Sequence, residues 1–196
     1  MLKFLNRARG FLLHPKATFE RYRDDELAEA ADFFLILLGI NSILSALLYY
    51  HTAATLFRSQ VTALLFGHHL GAATLFAALA GAFLAGFLMI AILGAAIHLF
   101  VILFGGTGGI SQTYKAVIYA STPWLLFGWI PVVCIITWFW AAGLTIIGIR
   151  DLHALSPLRS AVAVLVPVLI VFGMTAFTLL PALYSDPYAF ITRCYR

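Results

Sequence analysis

Four glycines within five residues, Gly105, Gly106, Gly108 and Gly109, followed by Ser111, Thr113 and Lys115, form the first stretch of this chain whose residue types could do chemistry. Glycine amides wrapped round a phosphate, with a lysine behind them, would mark a nucleotide enzyme, but that loop needs the spacing G-x-x-x-x-G-K-[ST]. Lys115 lies well past Gly109. The dinucleotide fingerprint G-x-G-x-x-G fails too, because Gly106 and Gly108 would need a third glycine where Ser111 stands. Neither H-E-x-x-H nor G-x-S-x-G occurs, and the long apolar runs hold no Asp or Glu to act as acid or base. We therefore expect no enzymatic activity, no catalytic residue and no cofactor. His68 and His69 are adjacent and point to different faces of a helix, and His51 has no fixed spacing to them, so no metal site is expected. Cys134 and Cys194 are read as free thiols.

The surroundings of the loop explain why such chemistry is missing. Hydrophobic residues make up 63% of the chain and charged residues 10%, and the mean hydropathy is +0.99, which places it among integral membrane proteins. A net charge of +4 could suggest nucleic acid in a soluble protein. Beside apolar spans, basic residues are instead topology signals and headgroup contacts, and no nucleic-acid partner is expected.

Charged residues delimit the spans. Phe33 to Phe57 is free of formal charge and supplies the roughly 20 apolar residues that a membrane helix needs. Leu70 to Phe104 would measure about 52 Å as one helix. The hydrocarbon layer is only about 30 Å, so the second span is either tilted or preceded by an interfacial turn, starting near Ala77. Ala116 to Ile149 is a third charge-free run, with Gly128 and Pro131 in its middle, and "LFGWIPVV" reads as a tight connection between spans three and four. Ser156 and Pro157 then form a helix start, with the hydroxyl capping free amides, before a last span from Ser160 to Leu183. The expected fold is all-α: an integral membrane bundle of five transmembrane helices over residues 33–183, with a short amphipathic segment at 1–32 and a tail at 184–196.

Lys3, Arg7, Arg9, Lys16, Arg21 and Arg23 precede the first span and put the N-terminus in the cytoplasm. Five spans add Lys115, Arg150 and Arg159 to that side and leave Arg58, Arg193 and Arg196 outside with the C-terminus. Four spans, with 116–149 as one helix, give the same nine against three, so charge alone does not choose between them; the proline–glycine turn favours five. The charged N-terminal region is too long for a signal peptide and "FLL" too short for its apolar core. In "MLKFLNRARGFLLHPKATFERYR", Leu2, Leu5, Phe11, Leu12 and Phe19 alternate with basic residues as in a helix lying among headgroups, broken at Gly10 and Pro15.

Within the second span, Ala78, Ala82 and Gly86 recur every fourth residue, and Gly94 and His98 follow at the same interval. Small residues so placed make a groove that seats another helix, of this chain or of a second copy. His98 is close enough to Phe104, about 9 Å, for its ring to reach the interface. With Asn41 it is the candidate pathway residue if the chain transports a small solute or an ion. The cytosolic loop candidates are Gly105, Gly106, Gly108, Gly109, Lys115, Arg150, Asp151, His153 and Ser156, with Ser111 as the expected cap of the third helix.

"HPKATF", "GGTGGISQTYKAVIYASTPWLL", "WIP" and "GIRDLHALSPLRSA" together resemble the Yip domain family, the Ypt/Rab-interacting membrane proteins and their prokaryotic relatives. Thr113, Tyr119 and Pro123 match one loose motif of that family, and Gly148, Ile149, His153 and Ser156 another. The resemblance implies five spans with a cytosolic N-terminus and, for eukaryotic members, binding of prenylated small GTPases, vesicle budding and membrane shaping. Those members carry a longer cytosolic region than the stretch before Phe33, and this chain is more similar to the prokaryotic branch, which would place it in the cell membrane. The expected function is a multi-pass scaffold or adaptor that organises membrane partners or lipids, with the lipid bilayer, cytosolic proteins or a second copy as partners. The alternative is a transporter or channel.

Overall fold

The computed structural model describes residues 2–55 and 72–184, and all regular structure in them is helical. Two short helices, α1 (Leu2–Leu13) and α2 (Pro15–Arg21), precede a long α3 (Leu27–Thr55). After the second described segment opens, α4 (Ala72–Leu103) is followed by α5 (Gly109–Ala120), α6 (Thr122–Phe127), α7 (Val133–His153) and α8 (Pro157–Tyr184).

Among the described residues, four helices have the length and apolarity to cross a membrane, over Leu27–Leu48, Ala72–Leu103, Val133–His153 and Pro157–Met174. Their outer faces carry large bare hydrophobics: Phe76, Ile92 and Leu103 on α4, Ile136 and Phe139 on α7, and Leu169 and Phe177 on α8, with Phe139 at 78% exposure. So much contiguous apolar surface is untenable in water and natural in hydrocarbon. The helices start earlier than charge boundaries suggest. α3 begins at Leu27 rather than Phe33, and α4 runs from Ala72 with no turn before Ala77, so its 32 residues are longer than the hydrocarbon is thick and require tilt or protrusion.

The run 116–149 is not one helix. α5 and α6 form a bent rod, residues 128–132 make the expected turn, and α7 returns antiparallel beside it. The bend follows from "STP". Pro123 has no N–H for the Tyr119 carbonyl, and Thr122 Oγ1 donates to that carbonyl at 2.6 Å instead. Ser121 Oγ does the same for Ile118 O at 2.7 Å, so the kink leaves neither acceptor bare in an apolar setting.

At the N-terminus the chain breaks once. Pro15 opens α2, whereas Gly10, an expected breaker, stays inside α1 and lets α2 approach, since a Cβ there would lie 2.8 Å from Thr18 Oγ1. Nor does this segment only lie among headgroups. Phe11 and Phe19 are fully buried, Phe11 stacking on Tyr119 of α5 at 4.6 Å between centroids. Gly148 of α7 makes room for Phe19, whose ring would be 2.8 Å from a Cβ at that position. α1 and α2 are therefore part of the core at one end of the bundle, and Leu5 and Leu13 remain exposed on their far side.

Candidate functional site

The glycine-rich loop lies at that same end. Gly105 (φ 82°) and Gly109 (φ 74°) take left-handed backbone that suits glycine, and Gly106 N–H closes the end of α4 by donating to Val101 O at 2.9 Å. The other two glycines serve close approach. A Cβ at Gly108 would lie 2.5 Å from the Leu152 carbonyl, and one at Gly106 3.2 Å from His153 Cβ. The loop presses against the C-terminal turn of α7, so its glycines make contact with protein.

That contact carries a buried polar chain. The Gly108 amide donates to His153 Nδ1 at 3.1 Å, His153 Nε2 is 2.9 Å from Thr113 Oγ1, and Thr113 Oγ1 is 2.8 Å from His98 Nδ1. Three helices and the loop are tied by it. His153, placed with the loop candidates by sequence, is on α7 and only 1% exposed. The His98 ring turns inward to Thr113. Ser111 is not the cap of α5: Gly108 stands at that position without a side-chain bond, and its amide is met by His153 from another helix. Ser156 does act as a cap, its Oγ accepting from Arg159 N at 3.4 Å.

A second centre adjoins the first. Lys115, expected in a loop, is on α5 and 3% exposed, and its ammonium donates to the backbone carbonyls of Arg23 and, at 2.9 Å, Asp25. Tyr119 OH donates to Asp25 Oδ2 at 2.8 Å, and Arg7 reaches the same oxygen at 3.1 Å while its guanidinium lies 4.4 Å over the Tyr22 ring. Burial works against the Arg7 charge, but Tyr119, Tyr22 and Asp25 outweigh it and its pKa stands raised. Sequence reasoning missed Arg7, Asp25 and Tyr119 as a group. Tyr119 was marked only by its place in a loose motif, Arg7 only as one of the basic residues before the first span, and Asp25 by nothing. Arg150 and Asp151 also belong to α7 and pair weakly with each other at 3.9 Å.

The remaining sequence candidates are engaged in packing. Gly86 seats Leu38 of α3, whose Cδ1 would be 2.5 Å from an added Cβ, and Gly94 seats Tyr114 of α5 in the same way at 2.6 Å. Ala78 is buried and Ala82 half-buried on that stripe. Asn41 donates its amide to Leu125 O at 2.9 Å and Trp124 O at 3.3 Å, at the C-terminal end of α6. Thr137 and Thr145 bond back to carbonyls of α7. A cavity of about 60 Å³ lies between α4, α5, α6, α7 and α8, with Met89, Leu93, Val117, Trp138 and Val168 among its walls. Pockets for drug-sized ligands run to several hundred Å³. Cys134 is a half-buried free thiol; Arg58, His68, His69, Arg193, Cys194 and Arg196 lie outside the described residues.

What this end of the molecule can do chemically is hold a loop, an N-terminal hairpin and two helix ends in one place by hydrogen bonds. Thr113, Tyr119, Gly148 and His153 all have structural work in it, and Pro123 bends the rod that leads away from it. No curated protein and no solved structure matches the chain. The family profile described as the Yip1 domain matches residues 9–180, from within α1 to within α8, and by that match the chain belongs to the Yip1 domain family.

Proposed function

We propose that this protein is a five-crossing membrane scaffold that organises protein partners or lipids at its cytosolic face, rather than an enzyme or a transporter. The observation that carries the reading is the use made of polar side chains inside the spans. Asn41 bonds α6 carbonyls, Ser121 and Thr122 mend a kink, Thr137 and Thr145 bond their own helix, and Ser160 bonds the first turn of α8. A solute path needs polar groups free to replace water of hydration, whereas these hold helices in place.

The fifth crossing is α5–α6. Twelve residues of α5 and six of α6, joined through Ser121, reach about 28 Å at 1.5 Å per residue, close to the hydrocarbon thickness. Gly108 and His153 meet at one end, so a chain that returns across the membrane through α7 must first have crossed outward through α5–α6. Nine of the twelve Lys and Arg residues then share one side with the N-terminus, which is the cytoplasmic side. On that side α1 and α2 display Lys3, Arg9 and Lys16 beside exposed Leu5 and Leu13, a surface suited to anionic headgroups or a partner protein.

Purified protein in proteoliposomes should pass no more ion or small-solute flux than protein-free vesicles. A photo-crosslinker at Leu5 in native membranes should capture a discrete protein or lipid adduct. Saturable flux, with no adduct, would install the transporter reading in its place.

A further inference from the structure

The polar chain from Gly108 to His98 has a direction that donor counting determines. An amide N–H only donates, so His153 Nδ1 accepts from Gly108 and carries no proton. The neutral ring then has its proton on Nε2, which donates to Thr113 Oγ1. The Thr113 hydroxyl hydrogen is left for His98 Nδ1, and the His98 proton sits on Nε2. A second proton on His153 has only Nδ1 to occupy. There it would face the Gly108 N–H, two donors 3.1 Å apart where one bond stood, while the bond from Nε2 to Thr113 survives. Protonation thus acts on one link, and that link holds the loop.

We propose that His153 is a proton-operated latch on the glycine-rich loop. Neutral, it holds the Gly108 amide and keeps residues 104–108 closed against α7. Protonated, it releases that amide, and the loop and the first turn of α5 can separate from α7. The latch stands whichever way the protein faces.

Charged and titratable groups on the surrounding elements are engaged elsewhere or exposed, except Asp151, whose Oδ2 is buried without a hydrogen-bond partner. On α4 the one titratable residue is His98, whose ring centroid is 6.4 Å from that of His153. On α5, Lys115 is held by the Arg23 and Asp25 carbonyls, Tyr114 donates to Ala91 O, and Tyr119 donates to Asp25. On α7, Arg150 pairs with Asp151, and on α8 Arg159 is exposed. Arg21, Arg23, Asp24 and Asp32 are exposed around α2 and the start of α3, and Arg7 holds Asp25 and Glu29.

The test is a nitroxide at Thr107→Cys, with Cys134→Ser and Cys194→Ser, in lipid nanodiscs at pH 7.5 and pH 4.0. Acid should raise the mobile spectral fraction reversibly by about fivefold, the shift expected from losing one buried hydrogen bond. His153→Asn, whose Oδ1 can take the place of Nδ1 and does not titrate, should stay immobile at both pH values. An unchanged spectrum in the parent, or an acid response kept in His153→Asn, would overturn the latch. Should His153→Asn fail to fold, ring ¹⁵N shifts of the unaltered protein decide. His153 protonated on Nε2 alone at pH 7.5, and on both nitrogens at pH 4.0, supports the latch; protonation on Nδ1 at pH 7.5 contradicts it.

Discussion

Lys115 is a basic residue just past a glycine-rich loop whose spacing is not that of a phosphate loop. Its ammonium donates to the carbonyls of Arg23 and Asp25 in the turn between α2 and α3, where a cation suits two backbone acceptors. Purified protein should therefore show no saturable ATP or GTP binding by calorimetry. Lys115→Ala should instead cost about 1.5–3 kcal/mol of stability, read from the thermal midpoint in detergent, because two backbone acceptors lose a charged donor. Micromolar nucleotide affinity abolished by the same substitution would reverse that assignment. Ala154 is a second residue with a definite expectation. It ends α7 in the left-handed region at φ 53°, which a glycine adopts without strain. Ala154→Gly should stabilise the protein by up to about 1 kcal/mol.

For single elements, the second span shows what small residues are for. Gly86 leaves room for Leu38 and Gly94 for Tyr114, so the groove is filled from within the chain. Gly86→Leu should destabilise by about 1–3 kcal/mol through overpacking, while Leu88→Ala, on the exposed face of α4, should cost less. Equal melting temperatures for Gly86→Leu and the parent would mean that α3 does not press there. The bend between α5 and α6 makes a different demand. Thr122→Val keeps the shape of the side chain but removes the hydroxyl that serves Tyr119 O, and should cost about 1–3 kcal/mol. Such features differ in how far a sequence exposes them. Apolar runs between charges marked the spans, because lipid forbids unpaired charge and demands length. The small-residue stripe was legible because its interval is that of one helix face. The "STP" bend was not, since the same proline could open a helix or bend one, and only the hydroxyl geometry decides. Still less legible was the chain of His98, Thr113 and His153, which are brought together from three helices and carry no periodic signal. A polar residue near a span end reads as loop, and so the buried positions of Lys115 and His153 were hidden.

On the scale of the whole molecule, the charged groups among the described residues gather at one end. That end gathers the N-terminal hairpin, the glycine-rich loop and the turn after α7 around Arg7, Asp25, Lys115 and His153, while the long helices run away from it with bare apolar faces. The Yip1 domain match embraces both parts, from residue 9 to residue 180. The central claim is that α5–α6 is a true crossing, which puts the polar end in the cytoplasm and sends α8 outward. Reporters that are active on only one side of the membrane test it most directly, one inserted between Ala154 and Ser156 and one fused after Arg196. The account predicts cytoplasmic activity for the first and external activity for the second; the reverse pair would contradict it and leave α5–α6 outside the count of crossings.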